Sequence, residues 1–77
     1  MAVGFVLITT EPGREIEVRD KVDKLDNVSG QWIVFGMHDL FVKVEADDDN
    51  DLTRCIMNEV RAIDGIAETR TLIGAEI

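Results

Sequence analysis

The chain has 77 residues, which is room for one small domain, and a domain of that size buries only about 60% of its unfolded surface. A hydrophobic share of 45% with a single Pro and no Ser-rich or Gly-rich tract argues against disorder, and one Cys with one His leaves no internal disulfide and no zinc site. The formal net charge is −8, and the eight cations (Arg14, Arg19, Lys21, Lys24, Lys43, Arg54, Arg61 and Arg70) are scattered among sixteen acids, which argues against direct binding to nucleic acid or an anionic membrane surface. No basic n-region with a small-residue cleavage site is present, and no apolar run approaches the roughly 20 residues that span a bilayer, so a cytoplasmic protein with a reduced thiol is expected.

Residues 3–9 form a short run rich in β-branched side chains and read as the first strand. Glu11-Pro12-Gly13 breaks it, with Pro suited to a first helical turn. The spacing predicts a helix over residues 14–25, in which Val18, Val22 and Leu25 fall at i, i+4 and i+7. Ile16 lies roughly opposite that stripe and is a candidate oligomer contact. Asp26 and Asn27 end the helix, with Asn27 suited to a left-handed cap.

Strand two is read over residues 31–35 and strand three over residues 40–45, joined by a turn of Gly36, Met37, His38 and Asp39. If those four residues make the turn, Phe35 pairs with Leu40 and Ile33 with Val42. One face then carries Ile33, Phe35, Leu40, Val42 and Val44. The other carries Trp32, Val34 and Phe41, then Lys43 and Glu45. Strand one is also apolar on both sides, with Val3, Phe5 and Leu7 on one and Val6 and Ile8 on the other.

The acidic run over residues 47–51 is read as a helix cap, because the Gly and the final Glu of a calcium loop are both missing. A second helix is predicted over residues 52–63, with Leu52, Cys55, Ile56, Val60 and Ile63 on one face. Glu59 falls inside that apolar face and is a second candidate oligomer contact. Asp64 and Gly65 stop the helix, and Ile66–Ile73 is the fourth strand.

The order β-α-β-β-α-β is the ferredoxin-like, split βαβ pattern of the α+β class: an antiparallel four-stranded sheet with two helices on one face. Its other face needs a cover. A second subunit packed sheet to sheet is the expectation, with Trp32, Val34 and Phe41 at the dimer interface. The alternative is a monomer with a ligand cleft beneath the sheet.

Candidates for chemistry are few. Cys55 sits on the buried stripe of a helix, where a structural thiol is expected. His38 is the only His, and its sequence neighbour Asp39 makes a conceivable acid–base partner whose side chain need not point the same way. The turn is better suited to binding: Gly36 admits close backbone approach, and Asp39 can accept hydrogen bonds from backbone N–H groups or a ligand ammonium.

The chain resembles the effector-binding (RAM) domain of the Lrp/AsnC family of feast/famine regulators. Four stretches carry the resemblance: Ala2-Val3-Gly4-Phe5-Val6-Leu7-Ile8 with Pro12-Gly13-Arg14-Glu15; Gly36-x-x-Asp39-Leu40-x-Val42-Lys43-Val44; Asn58-Glu59-Val60-Arg61-Ala62-Ile63-Asp64-Gly65-Ile66; and Thr69-Arg70-Thr71-Leu72-Ile73. Each is loose alone, but together they span essentially the whole chain.

The resemblance implies a single Lrp/AsnC-type ligand-binding and oligomerisation domain over Met1–Ile77, forming dimers through the sheets and then an octamer or another ring of dimers. It implies that an amino acid or related metabolite binds between dimers, at Gly36, Met37, His38 and Asp39, with Thr69 and Thr71 as further candidates. The third loop position is often aromatic in the family, and His38 replaces it here. The chain begins almost at the first strand, with no preceding helix-turn-helix segment, so it resembles the stand-alone members that act on a full-length regulator without gripping DNA. No metal, cofactor or catalytic residue is expected. Two other readings are a ligand-free structural oligomerisation module and a small dimeric α/β-barrel enzyme of the monooxygenase type. The enzyme would need an internal polar set, for which only His38 is available.

Overall fold

The structure is a computed structural model and describes residues 1–73. The elements follow the order β1 (Ala2–Thr10), α1 (Glu15–Asp23), β2 (Val28–Ile33), β3 (Leu40–Ala46), α2 (Asp49–Cys55), a π-helical turn (Ile56–Val60) and β4 (Ile66–Ile73). The sheet is antiparallel with strand order β2-β3-β1-β4, so the two apolar strands β1 and β3 lie at its centre. The fold is the expected ferredoxin-like one.

Alternation along the central strands builds the core. Every second residue of β1 is buried (Ala2, Gly4, Val6, Ile8 and Thr10), as are Leu40, Val42, Val44 and Ala46 of β3. Val18 and Val22 of α1 pack on this face, with Leu52, Cys55, Ile56 and Val60 of the second helical segment. Fully burying each such side chain is worth about 1.5–3 kcal/mol.

Several local expectations are corrected. Pro12 and Gly13 occupy the centre of a β-turn closed by Arg14 N–H donating to the Glu11 carbonyl at 3.0 Å, so α1 starts after them, at Glu15. Asn27 is not left-handed. Its side-chain amide donates to the Glu45 carbonyl at 2.9 Å, and its own carbonyl accepts from Glu45 N–H at 2.8 Å. Asn27 therefore stitches the end of α1 to β3.

The second helix starts earlier than expected, because Asp48 caps it by accepting from Asp51 N–H at 2.8 Å. Its α-helical part stops at Cys55, and the π turn follows, with Arg61 N–H donating to the Ile56 carbonyl at 2.9 Å. Gly65 carries φ +102° before β4. A Cβ there would lie 2.9 Å from Val18, which ties the start of β4 closely to α1.

One charge cluster fastens the ends of three elements. The Arg14 guanidinium pairs with Glu17 of α1, with Asp64 at 2.9 Å before β4, and with Glu11 at 3.8 Å after β1. The hydrogen bonds from Arg14 hold both Glu17 and Asp64 below the usual carboxylate range. A lowered folded-state pKa gives stabilisation that is present at neutral pH, above the ordinary value near 4, and is lost as pH falls through the lowered folded values. Urea midpoints measured from pH 7 down to pH 2 are therefore expected to fall in that acid range. The part of the fall due to these two carboxylates should disappear in Arg14→Gln; an unchanged acid profile in that variant would contradict the assignment.

Candidate functional site

The β2–β3 connection is longer than the four-residue turn expected. Ile33 stands opposite Leu40 and Trp32 opposite Phe41, a shift of two residues from the expected pairing, so parity is kept and Trp32 and Phe41 still share a face. Val34 and Phe35 leave the strand. Val34 N–H donates to the Asp39 carbonyl at 3.0 Å, closing the base of a loop, and Phe35 is 98% exposed.

Asp39 causes the shift. Its N–H donates to the Ile8 carbonyl at 2.8 Å. Its Oδ2 accepts from Thr10 N–H at 2.8 Å and from the Thr10 hydroxyl at 3.1 Å. These bonds draw the start of β3 onto the end of β1, which leaves Phe35 without a partner. The Asp39 carboxylate is thus a structural anchor, with Oδ1 making no hydrogen bond to a described residue.

The other face of the loop is held by Thr9. Its Oγ1 donates to the Met37 carbonyl at 3.2 Å and lies 3.1 Å from His38 Nδ1. A hydroxyl has one hydrogen; with it on Met37, His38 Nδ1–H donates to Thr9 and Nε2 is left as an acceptor. Because adjacent strand residues face opposite ways, Thr9 and Thr10 pin the loop from both sides of the sheet. The sequence reading missed both. The available signal was a pair of hydroxyl residues ending a strand that would neighbour the turn.

Gly36 sits at the tip with φ +123°, where a Cβ would meet nothing within 4 Å, so the backbone conformation and not space demands glycine. His38 contacts Thr9 rather than Asp39, and the conceivable acid–base pair does not form. Met37 and His38 border an open concavity of about 360 Å³ with Leu7, Phe41 and Leu72.

Thr69 and Thr71 do not join this group. They pair with Ile8 and Val6 of β1 and so share the helix side of the sheet with them, whereas the neighbouring Leu72, opposite Phe5, faces the concavity.

The concavity opens on the uncovered face of the sheet. Phe5 and Phe41 stack there with ring centroids 5.3 Å apart, and Trp32 and Phe41 lie at 5.7 Å. Trp32 is 51% exposed and Leu72 50%. Val34, expected on this face, is instead a half-buried loop residue. Ile33 is 60% exposed although it shares the core side with Leu40, because β2 is an edge strand that the helices do not fully cover.

The remaining candidates are structural. Cys55 is 3% exposed, and its thiol is pushed up to about 11, by burial first and then by the Glu59 carboxylate beside it, so it is a poor nucleophile at neutral pH. Glu59 is itself exposed. Among the described residues no group of three or more His, Cys, Asp or Glu could hold a metal ion, and no helix is long and apolar enough to cross a membrane.

Removing the Asp39 carboxylate leaves the buried Thr10 N–H without its partner. Asp39→Ala is expected to lower stability by about 1–3 kcal/mol in urea unfolding and to speed hydrogen exchange at Thr10. Unchanged exchange there would show that the anchor does not operate.

The Lrp/AsnC ligand binding domain profile matches residues 3–76. An uncharacterized HTH-type transcriptional regulator of Pyrococcus abyssi is 38% identical over 71 residues, covering 92% of this chain and 45% of the regulator. The chain thus spans about half the length of the curated relatives it matches. A solved FFRP chain is 36% identical with TM-score 0.92, covering 97% of this chain and 100% of that one. AsnC of E. coli is 25% identical with TM-score 0.89, covering 99% of this chain and 52% of that one.

Proposed function

The chain belongs to the Lrp/AsnC ligand-binding domain family, and on that premise we propose that it binds an amino acid or related metabolite at the hairpin tip and converts occupancy into a change of assembly. The observation that supports this best is the double pinning of the loop. With Asp39 held by Thr10 and Met37 and His38 held by Thr9, the tip is set before any ligand arrives, which lowers the ordering cost of binding. Gly36 exposes backbone at the tip, and His38 offers a ring nitrogen there.

The uncovered sheet face is the proposed dimer interface, centred on Trp32 and Phe41, with Val34 at its margin. Large aromatic side chains half open to water on one contiguous face are what a self-complementary contact requires. Thr69 and Thr71 face the helix side of the sheet in their own subunit, away from the concavity beside the tip. They enter the site only if a neighbouring copy supplies them, as in an octamer or another ring of dimers.

The mechanism is linkage. A ligand that contacts two dimers binds the assembled state more tightly and shifts the population toward it by that difference in affinity. The output is a change in co-assembly with a full-length regulator of the family, in the cytoplasm. The −8 charge favours action on a protein partner over a grip on DNA, and the pairing of His38 with a hydroxyl instead of an acid favours sensing over catalysis.

Calorimetry with the twenty amino acids, combined with size-exclusion light scattering, tests the sensor. At least one amino acid is expected to bind and to change the apparent mass, and His38→Ala, which removes the hydrogen bond to Thr9 and the ring nitrogen at the concavity, to weaken that binding. No binding and a constant oligomer mass would replace the sensor with a ligand-free oligomerisation module. Separately, Trp32→Glu combined with Phe41→Glu is expected to yield a monomer; a dimer that survives both substitutions places the interface elsewhere.

A further inference from the structure

The loop helps to build a second hollow, on the helix side of the sheet. Between α1 and the end of β2 lies a cleft of about 180 Å³. Ile16, Ile33 and Phe35 stand around it, and Leu40, 1% exposed, lies at its base. Ile16 contributes nothing to the core, which takes Val18 and Val22 from α1. It stays 64% exposed, with Ile33 at 60% and Phe35 at 98%. Three large apolar side chains left open around one hollow mark a contact surface.

Size limits the occupant. A dry cavity of about 150 Å³ holds benzene, so the cleft takes one ring or one aliphatic side chain. A ring of that size stands on its own rim, because Phe35 buries almost nothing within its subunit. A knob and a hole side by side on one molecule are self-complementary. A two-fold axis between them lets each Phe35 fill the cleft of the other copy.

Charge selects the same partner. Glu15 and Arg19 line the cleft from α1, one helical turn apart on one face. Among the described residues the Arg19 guanidinium touches only Asp20, at 3.4 Å, and the Glu15 carboxylate accepts only from Gly13 N–H, at 3.4 Å. The same two-fold axis sets the two α1 helices antiparallel, with Glu15 of each copy against Arg19 of the other, which adds a pair of charged contacts beside the apolar one. The helix is presented in a fixed position, because Gln31 Nε2 of β2 donates to the Arg19 carbonyl at 2.9 Å.

We infer that this cleft is a second self-complementary interface, in which each of two copies of the chain inserts Phe35 into the other and pairs its Glu15 with the other's Arg19. It lies on the helix side and leaves the face of Trp32 and Phe41 free for a separate contact. A subunit with two distinct two-fold contacts builds a ring of dimers or a filament. The contact rests on the ring-of-dimers reading above and deepens it: it names the surface that joins dimers, and it brings their hairpin tips together, since Phe35 adjoins Gly36.

Size-exclusion light scattering of the whole chain, with and without the twenty amino acids, tests this interface. The wild-type mass is expected to exceed that of a dimer. Phe35→Ser and Ile16→Ser should each reduce it to a dimer and not to a monomer, with an unchanged circular dichroism spectrum because both side chains are exposed. Glu15→Arg and Arg19→Glu should each do the same, and the two together should restore the larger mass, which a merely structural role of either residue does not allow. If Phe35→Ser and Ile16→Ser keep the larger mass, the cleft contact is overturned and the ring of dimers stands on another surface. If they keep that mass and lose amino-acid binding, a ligand fills the cleft and the contact is equally overturned. If the double charge variant stays a dimer, the two-fold arrangement is overturned. If the wild-type chain is a dimer under every condition, the contact and the ring fall together.

Discussion

A β-strand presents two faces, and this chain has helices enough to cover only one face of its sheet. That constraint governs the rest of the structure. β1 and β3 are central strands; β1 is apolar on both sides, and β3 carries Phe41 on its second side beside Lys43 and Glu45. α1 and the second helical segment cover one side with Val18, Val22, Leu52, Ile56 and Val60. The other keeps Phe5, Leu7, Phe41, Trp32 and Leu72 in partial contact with water, and the stacking of Phe5, Phe41 and Trp32 covers part of that surface. A small domain with a marginal core gains most by burying such a face against a copy of itself.

The hairpin loop shows how one side chain can shape a whole connection. Asp39 spends its Oδ2 on Thr10 and its N–H on Ile8, and in doing so fixes where β3 begins. The two residues displaced from β2, Val34 and Phe35, then border concave surfaces on both sides of the sheet. An acid that reads as a ligand contact in the sequence is the anchor that shapes the loop. The hydroxyl residues at the end of β1 complete it, one on each face, because strand alternation leaves them no other arrangement.

The helical half follows simpler rules. A capping Asp48, buried residues at helical spacing and the Arg14 cluster place α1 and the second segment where their apolar stripes demand. The π turn between Ile56 and Val60 inserts one extra residue into the helical ladder, and Ile56 and Val60 remain buried on either side of it. Glu59, the acid within that apolar stripe, stays exposed beside the Cys55 thiol and helps keep it protonated.

Element order, the identity of the two apolar strands, the sharing of a face by Trp32 and Phe41, and the capping role of the acidic run were all determined by the sequence, because periodicity and cap chemistry are local and act within a few residues. The four motif stretches likewise carry the resemblance to the family in the sequence itself. Register, the true length of the loop, the role of Asp39 and the service of Asn27 as a stitch to Glu45 were decided only by the tertiary structure. Each depends on a bond to a strand far away in the chain, at Thr10, Ile8 or β3, and no local pattern encodes which distant N–H or carbonyl will be within reach. The same holds for Ile16: sequence marked it as misplaced on its helix, and only the packing of α1 beside β2 turned it into the wall of a cleft.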